Sequence, residues 1–511
     1  MKEMSIRKAQ EYRALAVEIL AEAIRIPADY VDRPAAQGGD PQCGLSNHEG
    51  PRLEYLKKKL VEIGGVARPE HVRFDPFGNL RWTLKDETDG LADNEKTVIY
   101  WDGHTDTVRA LRERWTSAIG GGIDAYNGLT DATKVRHDFL MKELGYLPPE
   151  SDWSHLVWGR GSADQLGGVV CQIVASKILM ELKGEGALKG VIIESIASVA
   201  EEDNDGGGPM YIARHEFPGA PPARLPDVVI LTEGTGCAQK GAVGLYRGQR
   251  GRMQIEVEVI GKSCHGSMPW EGRNPLEFGA RILVEASDRY DAGEGFAQDE
   301  FLGPGTRTAS MATLDTPSDC AVPERFTFRF DRRLTAGEDP ERARADVEAL
   351  PAVARARAAG LTVDVRIPFY ADKTWKGATP GNPQIYPGWL TPGDHPAITA
   401  AAETYRQVIT PQVTGTETAG QMRKEPRVAR WIFSTDGVGF PVRRDDATVQ
   451  VPASKKWVHL GPFHHPAMFG IGPGIEQNTH KIGECMDSRE MSACIAFLAG
   501  YPGVLRGGNR G

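Results

Sequence analysis

The stretch GVIIESIASVAEED, residues 190–203, decides the fold of this chain and locates its chemistry. Its apolar part reads as a buried strand, and two adjacent carboxylates, Glu201 and Glu202, close it. A buried pair of like charges is expensive, and one member takes up a proton unless a cation lies beside it. TVIYW (97–101) and DVVILTE (227–233) are runs of the same kind. Between them LGGVVCQIVASKILMEL (166–182) has helical spacing, and GPMYIARHEF (208–217) reads as a short helix. Strand–helix–strand alternation predicts an α/β fold: a mixed, largely parallel sheet flanked by helices.

Beyond about residue 246 the texture changes. RMQIEVEVIG (252–261) alternates as a half-exposed strand does, and NPLEFGARILVEASDRY (274–290) reads as a helix. Strands at TRTASMATLD and ERFTFRFDRR, a helix at PERARADVEAL and a strand at LTVDVRIPFY follow. This β-α-β-β-α-β order predicts a small α+β, ferredoxin-like unit inserted into the larger one. The expected division is 1–245 and 370–511 for the larger unit, with 246–369 between them. A length of 511 residues fits more than one core.

Composition excludes several classes of function. A net charge of −9 with no basic stripe argues against nucleic acid. No apolar run approaches the roughly 20 residues that span a bilayer, so no membrane partner is expected. The N-terminal MKEMSIRKAQEYRALAVEIL reads as an amphipathic helix without the features of a signal peptide. Seven cysteines, without CxxC spacing, suit a reducing cytoplasm and leave oxygen and imidazole as the metal ligands.

Four clusters of such ligands lie at the ends of apolar runs or in glycine-rich turns. His104 and Asp106 stand in VIYWDGHTDTV, Asp164 in WGRGSADQLGG, Glu233 in VVILTEG and His480 in GPGIEQNTHKIGE. In open α/β sheets the crevice beyond the carboxyl ends of the strands binds ligands. Singly, each cluster has a plainer reading. HxD can be a loop hydrogen bond, the EE pair a solvated helix face, Asp164 a helix cap and His480 a surface histidine. Their joint placement favours a site for Zn²⁺, Mn²⁺ or Co²⁺. Two such ions about 3.5 Å apart would supply hydroxide near neutral pH and polarise a carbonyl, with an unligated Glu shuttling the proton.

The series GHTDTV, GRGSAD, EEDNDG, TEG, GKSCHGSMPWEGRNPLE, DRRLTAGE and GPG…H resembles the M20 metallopeptidase family over nearly the whole chain. That family includes acetylornithine deacetylase, succinyl-diaminopimelate desuccinylase and carboxypeptidase G2. Within it the lid motifs are most similar to the YgeY-like, selenium-metabolism-linked hydrolases. The resemblance implies a zinc-exopeptidase-like fold with a lid and dimerisation domain, and two divalent ions, zinc first with cobalt or manganese as alternatives. By motif, Asp164 bridges the ions, His104 and Glu233 hold one, and Glu202 and His480 hold the other. Glu201 is then the general base and Asp106 the partner that orients His104. The Asp164–Gln165 peptide is expected to be cis. His265 matches a histidine that reaches the partner subunit's active site and stabilises the oxyanion. Asn274 and Arg333 match residues that hold a substrate carboxylate. Without the family, His265 reads as a loop histidine and Arg333 equally as a strand-edge salt bridge.

The expected function is hydrolysis of a C–N amide bond in an N-acylated or peptide-like amino acid bearing a carboxylate, by a cytoplasmic homodimer or higher homo-oligomer. A hydrolytic deaminase with the same metals, or a catalytically silent binding protein of the same fold, are the alternatives. Two segments are longer than the family pattern: that between Asp106 and Asp164, whose HDFLMKELGYLPPE portion reads as a helix, and FPVRRDDATVQVPASKKWVHLGPFHHPAM (440–468). Both are expected to shape the pocket mouth or an oligomer contact, with His464 and His465 packing rather than binding metal.

Overall fold

A computed structural model describes residues 1–28, 48–119, 124–136, 143–413 and 421–508. Residues 137–142 of the HDFLMKELGYLPPE segment and Cys43 lie outside the described residues. Four parallel strands form the centre of the large sheet, in the order Val191–Ser198, Thr97–His104, Val228–Leu231 and Ala467–Gly470. Successive side chains of a strand point to opposite faces. Ile99 and Trp101 accordingly enter one core, with helices Gly167–Glu181, Pro396–Val408 and Ser488–Gly508. Val98 and Tyr100 enter the other, against helix Gly207–His215 and residues of 440–468. Apolar cover on both faces is why these strands read as continuous apolar runs. The sheet is widened by antiparallel strands Leu80–Lys85 and Val72–Phe74 on one side, and by Leu245–Gln249 with its neighbours Trp389–Leu390 and Val428–Trp431 on the other.

The chain leaves this sheet at Arg250 and enters a second, wholly antiparallel one. Its order is Thr306–Asp315, Arg325–Leu334, Gly251–Ile260 and Thr362–Arg366. With helices Pro275–Asp291, Pro340–Glu348 and Pro351–Ala358 packed on one face, this is the expected ferredoxin-like arrangement. A two-residue strand, Ile385–Tyr386, joins it from beyond residue 369. The outer edge, 306–315, is exposed along most of its length. The N-terminal segment forms two helices, Lys2–Glu11 and Arg13–Ile24, rather than one.

The two long segments occupy different ends of the large sheet. The first builds a small core from Trp115, Trp153 and Trp158 with Ile482 and Cys485, beside the loop that carries His480. Tyr146 and Asn478 exchange two hydrogen bonds there, at 2.8 and 2.7 Å. The second, expected at a pocket mouth or an oligomer contact, has residues 455–457 at the opposite end of the central strands. Trp457 Nε1 donates to the Pro226 carbonyl at 2.8 Å, and Lys455 pairs with Asp227 at 2.7 Å. Both partners precede the 228–231 strand, so this part of the segment braces the amino ends of the strands. His465 is buried, with Nδ1 2.6 Å from the Pro466 carbonyl, as expected of a packing residue.

Candidate metal centre

Every expected ligand lies beyond the carboxyl end of a central strand or in a turn facing it. His104 ends the 97–104 strand in register with Ser198, so the two chains leave the sheet side by side. Ala200 then adopts a left-handed conformation (φ 60°), which turns the backbone into the short helix Glu201–Asn204. Three consecutive amides of that turn are held by buried carboxylates. Ala200 N–H donates to Glu49 Oε1 (3.2 Å), Glu201 N–H to Asp106 Oδ1 (3.1 Å) and Glu202 N–H to Asp106 Oδ2 (2.9 Å). Asp164 precedes helix 167–181, and the Asp164–Gln165 peptide is cis. Glu484 Oε1 accepts the amides of Ala163 (2.9 Å) and Asp164 (3.1 Å), while its Oε2 accepts from Arg160 (2.6 Å). Gln165 donates to Glu233 Oε2 at 2.8 Å.

These elements bring the five expected ligands into two groups that share Asp164. Asp164 Oδ1 lies 3.0 Å from His104 Nε2, and its Oδ2 lies 3.0 Å from His480 Nε2. Glu233 Oε2 completes the first group, 3.5 Å from His104 Nε2. Glu202 Oε2 completes the second, 3.1 Å from His480 Nε2. Glu201 belongs to neither group and stands beside them, its Oε2 3.8 Å from His104 Nε2.

The donor set suits a divalent cation. His104 Nε2 is buried among carboxylate oxygens yet makes no hydrogen bond, the disposition of a nitrogen whose lone pair faces a cation. Without a cation the charges are poorly matched. Burial, reinforced by Asp164, pushes Glu202 up to about 7. Burial raises Glu233 too, and Glu201 well above the usual carboxylate range. Burial alone would lower His104, but Glu201, Asp106 and Asp164 raise it well above an ordinary histidine. A bound cation reverses this pattern by favouring carboxylates and neutral imidazoles.

The remaining expected residues fall as follows. Asp106 is fully buried, and His104 Nδ1 meets its backbone oxygen at 3.1 Å and its carboxylate at 3.4 Å. The carboxylate's hydrogen bonds go instead to the Glu201 and Glu202 amides. His265 is exposed in a short antiparallel pair with Ala321–Val322, its Nδ1 2.7 Å from Ser267 Oγ. Asn274 caps helix 275–291 by accepting the amides of Leu276 and Glu277. Arg333 is fastened to Asp331 at 2.7 Å. Three supporting carboxylates escape a reading of the sequence: Glu49, Glu484 and Asp436, whose Oδ2 accepts from Ser198 Oγ at 2.7 Å behind the site. Asp436 stands in STDG and Glu484 four residues after His480, but neither carries a spacing that marks it.

Residues 247–356 match the peptidase dimerisation domain of the M20 family. The Escherichia coli protein YgeY is 28% identical over 498 residues, covering 97% of this chain and 96% of its own. The succinyl-diaminopimelate desuccinylase of Acinetobacter baylyi is 26% identical over 328 residues, covering 63% of this chain and 71% of its own. Among solved structures, the M20 family metallo-carboxypeptidase Sso-CP2 from Sulfolobus solfataricus superposes with a TM-score of 0.57 at 14% identity, over 95% of this chain and 99% of that one. With both ligand groups formed, this chain is similar along nearly its whole length, in sequence to YgeY and in fold to an M20 metallo-carboxypeptidase, as a metal-dependent hydrolase would be.

Proposed function

We propose that the chain is a dinuclear amidohydrolase that cleaves the C–N bond of an N-acyl amino acid or a peptide-like small molecule. The observation that carries this reading is the pair of ligand groups meeting at Asp164, with Glu201 free beside them. His104, Asp164 and Glu233 would hold one divalent ion, and Asp164, Glu202 and His480 the other, with zinc the first choice for this donor set. When bound, such ions supply Lewis-acid chemistry, activating water and polarising a carbonyl. Glu201 supplies the proton carrier. Its carboxylate lies within the site beside His104, where burial raises its proton affinity, and an unligated carboxylate there can carry a proton.

The lid completes the reading. Residues 246–369 would serve as lid and dimerisation unit, with 1–245 and 370–511 as the catalytic unit. The exposed 306–315 edge carries Met311 and Leu314, 50% and 42% exposed, a surface suited to pairing with a second copy. The partner subunit's His265 would then stabilise the developing oxyanion. Arg333 would bind a substrate carboxylate by exchanging Asp331 for it, and Asn274 would assist. Cytoplasmic residence belongs to the same proposal, supported by six described cysteines that are all free.

The test is Glu201→Gln. The variant should retain zinc by elemental analysis, yet lose turnover by about 10²–10⁴-fold on N-acyl amino acids and dipeptides. Full turnover in this variant would remove Glu201 from the mechanism. Release of ammonia without a carboxylic acid product would replace amide hydrolysis by deamination.

A further inference from the structure

We propose that Arg250 and Arg430 form a binding site for a small oxyanion, of carboxylate or tetrahedral dianion chemistry, where the chain crosses between its two sheets. Arg250 is the residue between strands 245–249 and 251–260, and Arg430 lies in the neighbouring strand 428–431. Both side chains rest on the same turn. Arg250 Nη1 donates to the Pro304 carbonyl at 2.9 Å, and Arg430 Nη2 lies 3.2 Å from where a Cβ on Gly303 would stand. Arg250 Nη2 also donates to the Ile432 carbonyl at 3.2 Å, which ties it to the segment carrying Arg430.

Neither guanidinium has an anionic partner. Among the described residues Arg430 makes no hydrogen bond or ion pair, and Arg250 meets only backbone carbonyls. The Nε of each is buried without an acceptor. The nearby acids are already committed. Asp331 serves Arg333, Arg252 and Gln254, and Asp299 Oδ1 accepts the amides of Phe301 and Leu302. Burial, and then the charges of Arg333 and Arg430, make Arg250 a weaker base than an ordinary arginine.

An arginine does not shed its proton to escape such repulsion, so the arrangement is relieved by an anion. Two planar forks offer several N–H donors, the geometry that oxyanions accept in bidentate fashion. The patch is small and the chain carries a net charge of −9, which favours a small anion over a polyanion. None of the polar contacts of Arg250 and Arg430 involves a metal-ligand residue, and the proposal stands independently of the reaction assigned above.

Isothermal titration of the full, zinc-loaded chain with sulfate, and separately with succinate, at low ionic strength tests this. One saturable site per chain is expected, weakened about tenfold in Arg430→Gln, the loss of one charge-assisted hydrogen bond. Arg430→Lys keeps the charge and loses the fork, so it should bind with intermediate affinity. Arg355→Gln, at a distant exposed arginine paired with Glu285, should bind as the parent does. Preference for sulfate identifies a tetrahedral dianion, and preference for succinate a carboxylate. The proposal fails if the parent binds neither anion, if Arg430→Gln binds as the parent does, or if Arg355→Gln weakens binding equally. Anions held only on the metal loops would give the second of these results.

Discussion

Replacing Glu484 by glutamine changes one buried oxygen into an N–H₂ group and preserves the side chain's size. Both carboxylate oxygens act only as acceptors. One faces the Ala163 and Asp164 amides and the other faces Arg160. A glutamine must therefore turn its N–H₂ toward one set of donors, whichever way it is oriented. Stranding a buried polar group costs about 1–3 kcal/mol, and more when its neighbour is charged. Here the neighbour is Arg160, itself buried to 1% exposure, so breaking the pair costs about 3–5 kcal/mol. The damage reaches the metal because Asp164 is common to both ligand groups and its amide is tethered to Glu484. Zinc affinity should fall about 10–100-fold, the usual effect of removing a hydrogen-bonding partner behind a ligand. Competition with a chromogenic chelator measures this directly, and urea denaturation of the metal-free chain measures the stability loss. Unchanged zinc affinity in Glu484→Gln would show that Asp164 is positioned without Glu484, and the tether argument would be lost.

Three other perturbations probe separate parts of the molecule. Glu202 is pushed up to about 7 by burial and Asp164, while His480 is raised to about 11 by Asp164 and Glu202 against the lowering effect of burial. The metal-free site therefore holds protons near neutrality that a cation must displace. Zinc affinity should rise with pH, by up to about tenfold per unit for each proton released, and a flat profile in chelator competition would contradict this. Gly168→Ala places a Cβ 2.1 Å from the Thr232 carbonyl oxygen, which belongs to backbone and cannot swing aside. Helix 167–181 would have to leave the sheet, and a loss of about 1–3 kcal/mol or more should appear as a lower unfolding temperature. Mixing inactive Glu201→Gln and His265→Ala dimers and allowing subunits to exchange should restore about a quarter of the sites, because each heterodimer contains one complete set. Absence of recovery after proven exchange would place His265 outside the partner's site.

The central strands were legible because both of their faces are covered. Val98 and Tyr100 enter one core and Ile99 and Trp101 the other, so every position must be apolar and the run declares itself. The widening strands left no such mark. Trp389–Leu390 is two residues long, and Val428–Trp431 is largely part-exposed, so neither has enough covered positions to set a period. The ligands were legible for a related reason. A polar residue at the abrupt end of an apolar run or in a glycine-rich turn has few joint structural explanations, and four such positions converge on Asp164.

The supporting carboxylates were not legible because their partners are backbone amides, which every residue except proline possesses and no letter of the sequence distinguishes. Glu49 reaches Ala200 across 151 positions, and Asp106 reaches Glu201 across 95. The same limit explains Asp106. HxD spacing places His104 and Asp106 on one face, but it cannot tell which oxygen of Asp106 the imidazole meets. In the fold the backbone oxygen is the nearer to Nδ1, which releases the carboxylate to hold the amides of both glutamates. One aspartate thus meets an expected metal ligand with its main chain and the EE turn with its side chain. Asp106→Asn keeps the first contact but turns one acceptor into a donor facing an amide. It should therefore disturb the Glu201 and Glu202 turn more than it disturbs His104.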